Sequence, residues 1–586
     1  LGYDDYLFIE ARLMIDKSVI ADALDEIAAL LELKGENDFK VRAYANAARL
    51  VRGSELDAAG FVREAQAGRI KGIGAALREK ITTLFETGAL PYLEELRAEL
   101  PAGLFDMLRV PGLGAKKVRA LREQLGIEEL SDLEDACRQN RLVNLKGFGA
   151  KSQEKILAGI RQVVAYGGRF RLAPALPEAE ALVAALRATG AAGRIEIVGS
   201  LRRWVETVHN INLLAVSSKP RELIDAFCDQ PTVQKIDKRS TKFARVTLAG
   251  GIAADLRVVS EDEWAPALVH FTGSATHVER LTALAKKRGF ELGERSLSRR
   301  GKPVVVESEA DLYRALGLHD VPPELREGLD EIDLAAEREF PPLVTLQDLR
   351  GVLHVHSTYS DGVDTIRHLA ESFRARGYQY LGLTDHSQSA AYAGGMKPDD
   401  VRRQHAEIDA LNRELSPFRI FKGVESDILF DGSLDYDDEV LASFDFVIAS
   451  VHSRFNLSEE EMTRRVVRAL ANPHTSILGH PTGRLLLTRE GFQIDLDAVL
   501  EAAAKYGVAV ELNAHPHRLD LDWRRHRRAK ELGIPIPISP DAHELAGVED
   551  VRYGVGVARK GGLTPHDVLN CWDVKQLAQW FARRKK

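Results

Sequence analysis

Cysteine is scarce in this 586-residue chain: only Cys137, Cys228 and Cys571, far apart in sequence. Such spacing makes neither a disulfide framework nor a thiolate zinc site, and it fits a reducing, cytoplasmic setting. Long apolar runs are missing too. None approaches the roughly 20 residues of a membrane-spanning helix, so no membrane partner is expected. Neither sign of charge dominates, with 80 Lys and Arg against 87 Asp and Glu and a net charge of −7. That balance argues against nucleic acid only if charge is spread evenly, and it says little about local patches. Residues 1–13 lack a basic stretch followed by an apolar core, so a secretory signal is not expected there. They precede Met14, which opens an amphipathic helix, and are expected to be a leader or cloning remnant. What remains is a soluble composition, 45% hydrophobic and 28% charged. The length is too great for one core and implies roughly three to five domains.

The last 240 or so residues place a histidine or carboxylate at the end of nearly every apolar run. GVLHVHSTYSD supplies His354, His356 and Asp361, YLGLTDH supplies His386, and RIFKGVE supplies Glu425. DFVIASVH and TSILGH add His452 and His480, and IPISPDAH adds Asp541 and His543. Short aliphatic runs alternating with helical stretches such as DTIRHLAESFRARG read as parallel strands with crossover helices. In a barrel of that kind the strand ends converge, so ligands scattered along the chain meet. A set of imidazoles and carboxylates without thiolate suits manganese or zinc, with iron a further option. Nine groups exceed the needs of one ion and point to two or three.

These motifs resemble the PHP (polymerase and histidinol phosphatase) phosphoesterases over about residues 350 to 575. The resemblance implies a distorted seven-stranded barrel and a trinuclear centre that hydrolyses a phosphoester with a metal-bridging hydroxide. Arg484 in GHPTGR and Arg518 in NAHPHRLD, beside the metal motifs, are candidates to clamp the substrate phosphate.

From Met14 to about Gly168 apolar residues recur at helical spacing. RIKGIGAALREKI, RVPGLGAKKVRAL and NLKGFGAKSQEKI each put Gly, an apolar residue and Gly between two helices. These pairs are Gly72 and Gly74, Gly112 and Gly114, and Gly147 and Gly149. Glycine permits the positive φ of a tight hairpin and leaves amides open to a phosphate oxygen. Lys116, Lys117 and Lys151 follow the glycines, as expected of contacts to DNA of any sequence. The segments resemble helix-hairpin-helix motifs, and the region resembles the amino-terminal domain of family X DNA polymerases. By that resemblance Lys80 falls at the Schiff-base lysine of their lyase, while Ala76 stands where a second lysine is common.

Between about 175 and 340 the pattern turns mixed α/β. GSLRRWVET, IAADLRVVSEDEW, HFTGSATHVERLTALAKKRGFEL and DLYRALGLHDVPPELREG resemble the palm and thumb of the same polymerases. The resemblance implies that Gly199, Ser200 and Arg203 hold a dNTP triphosphate, with Phe271, Gly273 and Ser274 beside the nucleotide. Transfer there needs three carboxylates, two in an Asp-x-Asp pair whose period-two spacing aims both at the same magnesium or manganese ions. Here that pair is Asn210 and Asn212, and only Asp255 survives. Trp204, His209 and His270 also depart from the family pattern.

The expected organisation is a multidomain α/β chain with a lyase-like helical domain at 14–95 and helix-hairpin-helix fingers at 96–172. A degenerate palm at 173–265, a thumb at 266–335, a linker at 336–349 and the PHP barrel at 350–586 complete it. The expected protein is a monomeric cytoplasmic DNA-repair enzyme on gapped, nicked or 3′-ended DNA, trimming 3′ ends through the barrel's metals. Two alternatives stand beside it: a working gap-filling polymerase, and a DNA-binding scaffold with both sites idle.

Overall fold

The computed structural model describes residues 17–584 except 55, 57, 89, 109, 144 and 146; the expected leader lies outside them. The chain divides into two compact units at Gly167 and Gly168.

The first unit is helical. Its elements include α1 (Lys17–Lys34), α2 (Asp38–Arg52), α3 (Ala58–Gln66) and α4 (Ala75–Thr87), then α5 (Ala102–Leu108), α6 (Ala115–Leu125), α7 (Leu130–Arg138) and α8 (Ala150–Tyr166). One hydrophobic cluster runs from Ile20 to Val163, so the segments expected as two domains share a core. The glycine pairs join α3 to α4, α5 to α6 and α7 to α8. In each pair the first glycine has positive φ, +99°, +84° and +91° for Gly72, Gly112 and Gly147. Gly74, Gly114 and Gly149 then cap the following helix with extended backbone and no side chain over its first amides.

In the second unit a five-stranded sheet forms the palm. Its strands are β1 (Arg194–Val198), β2 (Asn210–Val216), β3 (Val233–Arg239), β4 (Phe243–Leu248) and β5 (Ala253–Val259), ordered β1-β2-β5-β4-β3. Helices α9 (Leu172–Ala188) and α10 (Pro220–Cys228) cover one face with Leu182, Leu186, Leu223 and Phe227. The thumb has its own core around Leu281, Leu312, Tyr313 and Val321.

Residues from Gly351 onward build a parallel barrel. Strands β6 (Gly351–Val355), β7 (Tyr380–Leu383), β8 (Arg419–Asp427), β9 (Phe446–Ser450), β10 (Thr475–Leu478) and β11 (Ala509–Val510) pair in sequence order. The chain breaks its ladder at Glu511, resumes as β12 (Leu512–Asn513) and pairs with β13 (Ile538–Ser539). A parallel bridge between Val355 and Ala542, with the His356 amide donating to the Ala542 carbonyl at 2.9 Å, closes the ring. Counting β11 and β12 as one interrupted strand gives the distorted seven-stranded barrel expected from the sequence.

Its apolar floor contains Leu353, Phe421, Phe446, Ile448 and Ile477, plugged by Leu577 and Phe581 of the C-terminal helix (Val574–Arg584). Gly382 and Gly423 make room for Phe446, whose ring would lie 2.9 and 2.4 Å from a Cβ at those positions. With the floor filled, ligand chemistry is confined to the strand C-termini. Palm and barrel share a hydrophobic cluster reaching from Leu172 to Val568. Trp204 closes against Gly556, where a Cβ would lie 1.9 Å from the indole.

Candidate metal centre

Every metal ligand expected from the sequence reaches the strand C-termini of the barrel. Ligand atoms of His354, His356, Glu425 and Asp541 lie within 4.8 Å of one another, as do those of His386, Glu425 and His452. A third group at the same spacing is His356, Asp361, His386 and His543. His480 joins the second group through Nε2, 2.9 Å from Glu425 Oε1 and 3.3 Å from His452 Nε2. Glu425 therefore sits between two groups, as a bridging carboxylate must. The open side lies at Asp361 and His543, whose side chains are 34% and 39% exposed against 1% for Glu425.

At the centre, among the described residues, His354 Nε2, both ring nitrogens of His356, His386 Nδ1 and Glu425 Oε2 are buried without a hydrogen-bond partner. Each such atom costs about 1–3 kcal/mol of desolvation when left alone. So many converging on one point fit divalent cations, and the imidazole–carboxylate set fits manganese, zinc or iron.

The electrostatics agree. Burial opposes the charges of Glu425 and Asp541, but surrounding imidazoles, His354 foremost, hold both carboxyls well below the usual range. Burial also lowers the imidazoles, yet Glu425 and Asp427 raise His452 to about 10, and Asp361 and Asp541 raise His543 to about 9. His356, pressed by burial and by its neighbour His543, falls to about 3. The carboxylates thus stay ionised and draw positive charge towards the cluster.

A supporting layer escaped the sequence reading. Glu511, at the break between β11 and β12, accepts from His354 Nδ1 at 2.6 Å on one oxygen and from the His480 amide at 2.7 Å on the other. Asp427 pairs with His452 Nδ1 at 2.6 Å, and Asn513 donates to Asp541 at 3.1 Å. Asp385 collects the Ser357 amide and the hydroxyls of Ser357 and Ser360, fixing the loop that carries Asp361. Partners of this kind set ring tautomer and orientation. A signal was present, since Glu511 and Asn513 alternate along one strand face and Asp427 lies two residues beyond Glu425. Backbone strain marks the same place: His354, His480 and Asp541 have φ of +63°, +22° and +54°. Non-glycine residues hold such values only where surrounding contacts fix them.

The two arginine candidates separate. Arg484 donates Nη1 to Asp522 at 2.7 Å, Nε to the Arg518 carbonyl at 3.0 Å and Nη2 to the Leu519 carbonyl. Those bonds engage each of its three nitrogens and turn it towards residues 518–522. Arg518 points at the cluster, with Nε 3.4 Å from Asp541 Oδ2 and the side chain 21% exposed.

In the palm, β2 and β5 bring Asn212 opposite Asp255, and Asn210 donates to Asn212 at 3.2 Å. Asp255 is fully buried, with Arg245 on both its oxygens at 2.6 and 2.8 Å and Arg257 at 3.3 Å. Arg245 was missed in sequence because β4 lies outside the motifs that carry the resemblance. Gly199 has φ +71°, and a Cβ there would lie 3.1 Å from the Asn212 amide nitrogen. Ser200 begins the short turn after it. Arg203 is spent on Glu327 at 2.8 Å and the Thr272 carbonyl at 2.7 Å; Glu327 also holds Lys560 of the barrel. Phe271 lies under the Arg257 guanidinium at 4.9 Å. Gly273 packs on His277, and Ser274 caps the next helix through the His277 amide.

In the hairpins, a Cβ at Gly74, Gly112, Gly114, Gly147 or Gly149 would meet nothing within 4 Å, whereas Gly72 abuts Leu50. Lys116 and Lys151 are exposed. Lys117 donates to the Gly112 carbonyl at 2.9 Å, bracing its own hairpin. Lys80 lies 4.6 Å from the centre of the Tyr92 ring, and Lys40 of α2 stands 5.9 Å from the same ring.

Comparison with known proteins places these parts. Residues 15–90 match the helix-hairpin-helix domain and 105–162 the SAM-like helix-hairpin-helix tandem. Residues 267–327 match the DNA polymerase beta thumb and 353–515 the PHP domain. The chain is 38% identical over 571 residues to the DNA polymerase/3′-5′ exonuclease PolX of Bacillus subtilis (strain 168), covering 97% of this chain and 99% of that protein. A probable phosphatase of Thermoanaerobacter sp. (strain X514) is 29% identical over 245 residues, 40% of this chain and 94% of that one. Another, from Caldanaerobacter subterraneus subsp. tengcongensis, is 30% identical over 261 residues, 41% and 94% respectively. With barrel, thumb and paired hairpins in the order of PolX along nearly its whole length, the chain belongs to the bacterial PolX family of family X DNA polymerases with a C-terminal PHP domain.

Proposed function

We propose that this protein trims the 3′ ends of gapped or nicked DNA by metal-dependent phosphodiester hydrolysis in the barrel, and that its palm no longer transfers nucleotides. One observation carries the reading. The barrel keeps all nine ligand positions in one cluster, while the palm keeps a carboxylate at one of its three expected ligand positions, Asp255, which two arginines hold. The relative from Bacillus subtilis, named for both polymerase and 3′-5′ exonuclease, supports the same choice of substrate.

His354, His356, Glu425 and Asp541 would hold one ion, Glu425, His452 and His480 a second, and Asp361, His386 and His543 a third. Manganese or zinc bound there would activate water and stabilise the charge that develops on the phosphate. The chain's own residues supply the rest. Arg518 neutralises a non-bridging phosphate oxygen at the open rim. Glu511 and Asp427 keep the ligating nitrogens of His354 and His452 directed inward. In the hairpins, uncovered amides with Lys116 and Lys151 grip the backbone regardless of sequence. Lys80 serves there as a phosphate contact and not as a lyase nucleophile, since Ala76 stands where the lyase pattern has a second lysine.

The test is a labelled gapped duplex, with Mn²⁺ alone in one arm and dNTPs with Mg²⁺ in the other. Shortening in the first arm with little extension in the second is expected. The variant His354→Ala/His356→Ala should lose the shortening and one or more bound ions while keeping its DNA affinity. Brisk Mg²⁺-dependent extension insensitive to Asp255→Ala, or undiminished shortening by the double variant, would sink the proposal.

A further inference from the structure

On the palm face that carries Asn210 and Asn212, positive charge replaces the negative charge on which nucleotidyl transfer depends. Strand pairing aligns Lys238, Arg245, Asp255 and Asn212 in one row across four strands. Lys235 and Arg257 join the same face, giving four cations against two carboxylates, Asp237 and Asp255. Both carboxylates are already taken: Asp237 by Lys235 at 2.8 Å and by Thr247 at 2.6 Å, Asp255 by Arg245 and Arg257.

Aromatic rings are set among these cations. The Arg257 guanidinium lies 5.0 Å from the centre of Phe243 and 4.9 Å from that of Phe271, and Lys238 Nζ lies 5.5 Å from Phe243. His270 meets Phe271 edge-on at 5.1 Å. Lys238 is exposed, Arg245 is 47% exposed, and Phe243 and Phe271 are half-buried. A sheet face of cations interleaved with partly open rings is how proteins hold single-stranded nucleic acid: cations track the phosphates and rings stack on bases of any identity. A divalent ion is unwelcome there, because Arg245 occupies both oxygens of the sole carboxylate among the former ligands.

We propose that this face is a metal-independent site for a single strand of DNA, with phosphates against Arg245, Arg257 and Lys238 and bases on Phe243 and Phe271. The inference rests on DNA being the substrate of the barrel but not on the barrel's activity. By this account the loss of the two aspartates did more than silence a catalyst, because it removed the repulsion that would have kept phosphates away.

The experiment uses the full chain in EDTA, where the barrel cannot hydrolyse, and follows the anisotropy of a labelled single strand of about 12 nucleotides. Phe243→Ala should weaken binding about 5- to 150-fold, the range for losing one stacked base. Lys238→Glu, at an exposed position where folding is not at risk, should weaken it and flatten its salt dependence. Asn210→Asp/Asn212→Asp should weaken it as well, by restoring negative charge. Duplex affinity should stay within twofold in all three, and matching melting curves confirm that the variants fold.

Single-strand affinity unchanged in both Phe243→Ala and Lys238→Glu would overturn the proposal. So would displacement of the strand by free dNTP as readily as by DNA, which would mark a nucleotide site instead. The barrel reading is scored separately by 3′ shortening in Mn²⁺: failure there leaves the EDTA measurement intact, and the reverse holds too.

Discussion

At the scale of single residues, the carboxylates behind the ligands matter as much as the ligands. Glu511 touches two of them, His354 through its ring and His480 through its backbone. Glu511→Gln keeps the shape but loses the charge, and metal affinity should fall about 10- to 100-fold, as is usual when such a partner is lost. Metal content measured after dialysis against graded chelator would show it; unchanged occupancy would count against the assignment. Arg245 changes what restoring the palm can achieve. Aspartates at 210 and 212 alone would face an Asp255 whose oxygens are already bonded, so Asn210→Asp/Asn212→Asp should extend a primer scarcely better than the native chain. Adding Arg245→Val should release Asp255 and give a further gain, since one well-placed charge stabiliser is commonly worth about 10²- to 10³-fold in rate. Primer extension in Mg²⁺ by the double and triple variants decides whether the arginine or the amides do the silencing.

Secondary-structure elements explain what the sequence could and could not disclose. The hairpins were legible because glycine at fixed spacing carries a backbone requirement, and Gly72, Gly112 and Gly147 do take the positive φ. The ligand set was legible because a histidine or carboxylate at a strand end breaks an apolar pattern in a visible way. Arg484 and Arg518 were not separable in sequence, because adjacency to a metal motif does not fix the direction of a side chain. Lys117 turns back on its own hairpin and Arg245 reaches across to the neighbouring strand, and neither direction is encoded by residue spacing. The hairpin prediction narrows accordingly. Lys116→Ala and Lys151→Ala should each flatten the dependence of log affinity on log salt by about one unit, alike on all sequences. Lys117→Ala, whose ammonium is bonded to Gly112, should change the slope less and the melting temperature more. Equal slope changes for all three lysines would refute the distinction.

On the scale of the whole molecule, the second unit has a continuous apolar interior from palm to barrel. Ions bound only by the folded barrel stabilise it by mass action, about 2.7 kcal/mol at a hundredfold excess over Kd. Stripping metal should therefore lower the melting point of palm and barrel together, while residues of the first unit keep theirs. Hydrogen exchange with and without chelator reads this by region, and a palm indifferent to metal would contradict the shared core. Acid adds a thumb-centred limit. Burial opposes the charge of Glu309, but Arg326 and Arg202 overcome it and hold its carboxyl at about 2 against 4.5. A depressed carboxylate contributes its stability above the unfolded value and loses it as pH falls. Glu309→Gln should accordingly destabilise the chain at neutral pH and lose that difference between about pH 4.5 and 2, as melting scans can follow.

The contact between Trp204 and Gly556 has a bearing on how such a chain can be shortened. An indole that leaves no room for a single methyl group is a lock between two parts with separate chemistries. Discarding the palm would leave Gly556 and the apolar surface around it facing water. A barrel living alone must therefore repopulate that helix with polar side chains before the palm can be lost. Until then, the palm is retained as the barrel's wall, whatever its own reaction.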